Sequence, residues 1–85
     1  MKVQAEISLY PLRENELTKP VQQFFRALKN HNLIIKTGGI STLVAGDSQV
    51  IFESLQQAFE QIAERYEVVM TAKISNACPE FNRYE

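Results

Sequence analysis

Residue types that could do chemistry are few in this chain, and their spacing excludes most of it. His31 is the only histidine and Cys78 the only cysteine, far apart in sequence, so neither a multi-ligand metal site nor an intrachain disulfide can be built from them. A lone histidine with no serine or acid motif beside it does not make a hydrolase triad. His31 instead suits the C-terminal end of a helix, where a cation complements the carbonyl dipoles. Cys78 has no basic neighbour to lower its pKa and reads as an inert thiol of a reducing compartment. Gly38-Gly39 lacks the Lys-Ser/Thr ending of a phosphate loop and reads as a hairpin turn. More informative is Gly46-Asp47-Ser48, at the start of a helical pattern. Free N–H groups there would attract an anion, but Asp47 opposes one. A cationic or hydrogen-bond-donating ligand suits that carboxylate better, and a plain N-cap is its structural role.

The elements that must position these residues follow from periodicity. Ser41 to Ile62 organises the chain: a short strand from Thr42 to Ala45, an expected turn at Gly46, then a helix capped by Asp47 or Ser48. Ile51, Leu55, Ala58 and Ile62 share one face of that helix, with Phe52 and Phe59 widening it. Upstream, Lys2 to Tyr10 alternates, with Val3, Ala5, Ile7 and Leu9 on one side and Gln4, Glu6, Ser8 and Tyr10 on the other. Pro11 is expected to end donation to the ladder. Thr18 is read as an N-cap, with Pro20 in the first turn and Val21, Phe24, Phe25 and Leu28 as the apolar stripe of a first helix. Asn30-His31-Asn32 closes it. Leu33 to Thr37 makes another short strand, and Glu67 to Asn76 alternates again, with Val68, Met70, Ala72 and Ile74 against Val69, Thr71, Lys73 and Ser75. The tail carrying Phe81 and Tyr84 has no clear period.

Strand, helix, strand, strand, helix, strand is the order of the ferredoxin-like α+β sandwich, a βαββαβ chain with both helices on one face of a four-stranded antiparallel sheet. At 85 residues the whole chain, 1–85, is expected to be one domain with a small core. A composition of 45% apolar and 22% charged residues is ordinary for a globular protein, and a net charge of −1 gives no reason to expect nucleic acid as a partner. Neither a signal peptide nor an apolar run of the roughly 20 residues that a span requires is evident. A cytoplasmic protein without membrane partners is the expectation.

The sheet face that the helices leave uncovered is the informative surface. Gln4, Glu6, Ser8 and Tyr10 are expected on it beside Val69, Thr71, Lys73 and Ser75. Such a mixture fits either a wet face with a Glu6–Lys73 cross-strand pair or a sheet-to-sheet contact between copies. Base-stacking RNA binders of this fold need aromatic residues on both central strands, and Thr42 to Ala45 has none. Soft-metal carriers would need a CxxC loop where Tyr10-Pro11-Leu12 stands. An acylphosphatase-like enzyme would rest on Arg13 alone.

Three segments, Val-Gln-Ala-Glu-Ile-Ser-Leu-Tyr-Pro-Leu at the start, Ser-Thr-Leu-Val-Ala-Gly-Asp in the middle and Lys-Ile-Ser-Asn-Ala-Cys-Pro near the end, together resemble the YkoF-like thiamine-binding family in order and spacing. The resemblance implies a ferredoxin-like fold, non-enzymatic binding of thiamine or its hydroxymethylpyrimidine moiety as a carrier or sensor, and no cofactor. It also implies assembly into a homodimer or homotetramer, here through the open sheet face. Carried over by position, the ligand-binding residues would be Ser8 and Tyr10 of Ser-x-Tyr-Pro-Leu, Thr42 and Asp47 of Thr-x-x-x-Gly-acid, and Ser75 and Asn76 of the closing Ser-Asn. Ala45 stands where relatives often carry Glu, so any contact made by that acid is missing. An oligomeric regulatory or scaffolding module with no small-molecule ligand is the alternative.

Overall fold

The computed structural model describes residues 1–29, 32–38 and 41–77. Expectations for Asn30, His31, Gly39, Cys78 and the tail with Phe81 and Tyr84 lie outside the described residues. The elements run β1 (Lys2–Leu12), α1 (Thr18–Leu28), β2 (Ile34–Thr37), β3 (Thr42–Asp47), α2 (Ser48–Ala63) and β4 (Glu67–Ser75). They form one four-stranded sheet in the order β2-β3-β1-β4 with every pairing antiparallel, the ferredoxin-like arrangement.

Alternation in β1 decides which face is dry. Val3, Ala5, Ile7 and Leu9 are buried, and they meet Val44 of β3, Phe24 and Leu28 of α1, and Ile51, Leu55, Ala58 and Ile62 of α2 in a single core. Phe24 and Phe25 touch edge to face, ring centroids 5.0 Å apart at 83°, a geometry that sets the positive edge of one ring against the negative face of the other. Helix α2 buries the expected stripe, but Phe52 is 56% exposed. It neighbours Ile51 in sequence, and consecutive helical positions point about 100° apart, so it swings off the stripe. Coverage also fails at β4, the outer strand: Ala72 and Ile74 share the helix-side parity of Ile7 and Ala5, yet both are exposed.

Element ends depart from the sequence reading at specific residues. Strand β3 does not turn at Gly46 but continues to Asp47, with Gly46 paired to Val3. What the missing Cβ provides is room for a neighbour: a Cβ there would stand 2.7 Å from Leu33 Cδ2. Helix α1 starts at Thr18 rather than being capped by it; Leu17 holds the cap position without a side-chain bond. Pro20, buried in the first turn, removes one of the donors that would otherwise need a partner. The β2–β3 hairpin is closed by Gly38 N–H donating to the Ser41 carbonyl at 2.9 Å.

Asp47 caps α2, and both carboxylate oxygens are used. Oδ2 accepts from Gln49 N–H at 3.1 Å and Oδ1 from the Met1 ammonium at 3.0 Å. The ammonium first and the Gln49 N–H second hold its pKa below the usual 3.8. A carboxylate depressed on folding stabilises fully above its unfolded pKa of about 4, and the contribution is lost as pH falls through the lower folded value. Asp47→Asn keeps a capping oxygen and removes the charge. Urea midpoints should show the variant less stable at pH 7, with the gap to the parent closing toward pH 2; a gap that stays constant would refute the ion-pair account. Ser54 of α2 is fully buried, and its Oγ has no hydrogen-bond partner among the described residues. Removing an orphaned buried hydroxyl spares its desolvation cost, so Ser54→Ala should be neutral or stabilising by up to about 1 kcal/mol. Ile7→Ala, by contrast, should cost about 2–5 kcal/mol in the same denaturation assay.

Candidate functional site

The length mismatch between β1 and β3 makes the site. β1 has 11 residues and β3 has 6, and their last pair is Ile7 with Thr42. Among the described residues, Ser8 to Leu12 then pair with β4 alone, Pro11 opposite Val68 and Leu12 opposite Glu67. The expectation that Pro11 ends the ladder is thus corrected. Hydrogen-bond parity gives the reason. Ser41 turns its carbonyl toward β2, so the main-chain groups of Thr42, one residue on, face β1, and with them those of the odd-numbered residues of β1 face β3. The Ser48 N–H to Met1 carbonyl bond, 2.8 Å at the far end of the same ladder, has the same parity. Leu9 and Pro11 therefore point their main-chain groups toward the β3 side, where no pairing beyond Ile7–Thr42 is made among the described residues. At Pro11 the donor that would face no strand does not exist.

Over this gap lies a cleft of about 420 Å³ between α1 and the β2–β3 hairpin. Ile7, Leu9, Val21 and Phe25 line it with apolar residues, Ser8, Thr37, Ser41 and Thr42 line the strand and hairpin side, and Gln22, Arg26 and Lys29 line the α1 side. The volume and the mixture of apolar floor with convergent polar groups suit a small organic molecule. A second concavity, of about 390 Å³ between the helices, sets Glu64 among Arg26 and Arg65 and is lined mainly by polar groups.

The residues read from sequence fall into separate groups. Ser8 and Thr42 both line the cleft, although Thr42 sits on the helix side and is 2% exposed. Tyr10 projects from the open face opposite Val69, half exposed and about 7 Å further along the strand than Ser8. Asp47 pairs with Lys2 and Ser75 with Gln4, at the other end of the sheet, roughly 13–20 Å from Ser8 along the strand direction. Ser75 Oγ accepts from Ala77 N–H at 3.0 Å, and the exposed Asn76 lies between them. Arg26, Lys29, Gln22 and Phe25 were not singled out as site residues. Their only sequence signal is the i, i+3, i+4 spacing of one helix face.

The open face carries the expected residues, since Gln4, Glu6, Ser8 and Tyr10 stand opposite Ser75, Lys73, Thr71 and Val69. Ile34 of β2 and Leu43 and Ala45 of β3 extend it. Tyr10 is 50%, Val69 45% and Ile34 44% exposed. Glu6 accepts a bond from Ser41 Oγ at 3.1 Å rather than making the ion pair with Lys73 that the wet-face alternative would carry. Arg13 leaves β1 with φ 58°, and its guanidinium is held by Glu67. Among the described residues no group of three or more His, Cys, Asp or Glu side chains could hold a metal ion, and no helix is long and apolar enough to cross a membrane.

A hypothetical protein from Methanocaldococcus jannascii shares this fold at TM-score 0.86 and 25% identity, over 98% of this chain and 91% of that one. A Streptococcus pneumoniae protein matches at TM-score 0.88 and 16% identity, over 99% and 97% of the two chains. A putative thiamine biosynthesis/salvage protein from Thermotoga maritima matches at TM-score 0.84 and 15% identity over the full length of both. No curated protein sequence matches the chain. The sequence model of the YKOF-related family matches residues 2–80. With its fold and nearly all of its length accounted for in this way, the chain belongs to the YKOF-related family.

Proposed function

We propose that this protein binds thiamine or its hydroxymethylpyrimidine moiety as a cytoplasmic carrier or sensor and carries out no reaction on it. The observation that carries the reading is the cleft at the end of β3, in which Ser8 and Thr42 meet an apolar floor. An aminopyrimidine presents ring acceptors beside an exocyclic amine. The main-chain N–H and C=O of Leu9, which point toward the β3 side of β1, would complement such an edge, with the hydroxyls of Thr37 and Thr42 among the lining residues. Phe25 offers a ring to pack against the heterocycle. The Thermotoga maritima structure described as a putative thiamine biosynthesis/salvage protein adds support from the same fold.

A homodimer or homotetramer through the open sheet face belongs to the same reading. Tyr10, Val69 and Ile34 leave apolar surface in water that a second copy would cover. A two-fold face-to-face contact with strands running oppositely would also lay the Asp47, Ser75 and Asn76 end of one copy over the Tyr10 end of the other. That would bring together residues that a single chain holds apart.

Calorimetry on the full chain should detect thiamine or hydroxymethylpyrimidine. Phe25→Ala should weaken binding about tenfold, the loss of one ring contact of about 1–1.5 kcal/mol, and Ser8→Ala should weaken it several-fold. Absence of both heat and thermal shift at millimolar ligand would sink the reading. Light scattering should find a dimer or tetramer that Val69→Glu dissociates; a monomeric parent protein would remove the assembly.

A further inference from the structure

We propose that the ligand of the cleft carries an anionic group, a phosphate ester on the hydroxymethyl arm of the pyrimidine, held by Arg26 and Lys29. The inference rests on the reading of the cleft as the ligand site and names the class of ligand it takes. Arg26 and Lys29 are three residues apart, so both project from the same side of α1, and both line the cleft. Among the described residues neither forms an ion pair, and no carboxylate lines the cavity. The local excess of positive charge arises in a chain with 10 acidic against 9 basic residues, so it is a property of this wall rather than of the protein. Glu6, the acid bonded to the lining Ser41, belongs to the open sheet face and does not line the cleft.

Basic residues near a helix C-terminus complement the carbonyl dipoles, and Arg26 sits in the last turn of α1. That role accounts for a cation at this end of the helix. It does not account for the absence of Asp and Glu from the described residues that line the cleft, although Arg26 also borders the concavity that holds Glu64. An isolated thiazolium would place like charge against Arg26 and Lys29, whereas a phosphate would accept charge-assisted bonds from both, with Gln22 one turn earlier as a further donor. The apolar floor and the Leu9 main chain would still take the ring.

Titration calorimetry at low salt on the full chain should compare hydroxymethylpyrimidine, its phosphate ester, thiamine and inorganic phosphate. The ester should bind about tenfold or more tightly than the alcohol, and the advantage should shrink as salt rises. Arg26→Gln and Lys29→Gln should each reduce the ester's advantage while melting as the parent does, and Arg26→Lys should retain part of it. Equal affinity for alcohol and ester would overturn the anion assignment and leave the cleft reading standing. Inorganic phosphate binding as tightly as the ester would overturn it too, as adventitious anion binding. If neither pyrimidine binds, the cleft reading itself falls and takes this inference with it.

Discussion

A central strand that outlasts its neighbour is the constraint on which this structure turns. β1 must be long enough to pair with the whole of β4, while β3 gives way to the hairpin once it has passed Ile7. Backbone polar groups inside a sheet need partners, so the stretch beyond Ile7 poses a problem that sequence has to solve locally. Pro11 solves it at one position by lacking the donor. Leu9, whose main-chain groups share the orientation of those of Pro11, lines the cleft beside α1. The same mismatch therefore shapes the sheet and supplies its candidate binding surface.

One dry face is enough to hold the fold together. The buried residues of β1, Val44 and the stripes of α1 and α2 make a single continuous core, and each fully buried large aliphatic or aromatic side chain contributes roughly 1.5–3 kcal/mol to it. A domain of this size has few such residues. Its similarity to the Methanocaldococcus jannascii protein, close in shape at 25% identity, fits a fold set by where apolar residues recur rather than by which ones they are.

Periodicity made most of this architecture readable in advance. The alternation of Val3, Ala5, Ile7 and Leu9 and the stripe of Ile51, Leu55, Ala58 and Ile62 each have one physical solution, and the structure adopts it. The features that escaped are those decided by a distant partner. Gly46 looks like a turn in one dimension, and only the approach of Leu33 from the next strand explains it as a strand residue. Pro11 looks like a strand end until the parity of the ladder is known. Thr18 looks like a cap because local propensity favours it, but the helix already begins there. At the candidate site, Ser8 and Thr42 were legible through their motif. Arg26, Lys29 and Phe25 were not, because a helix has several polar and apolar positions, and which of them faces a cavity depends on where a neighbouring strand stops.

Pro11 also limits what can dock beside β1. An incoming polypeptide adds to a sheet edge by exchanging bonds at every second residue, and here the series breaks after Leu9 because the following position offers an acceptor alone. A foreign chain would gain one rung and then lose its footing. The missing donor thus discourages the runaway strand pairing to which bare sheet margins are prone.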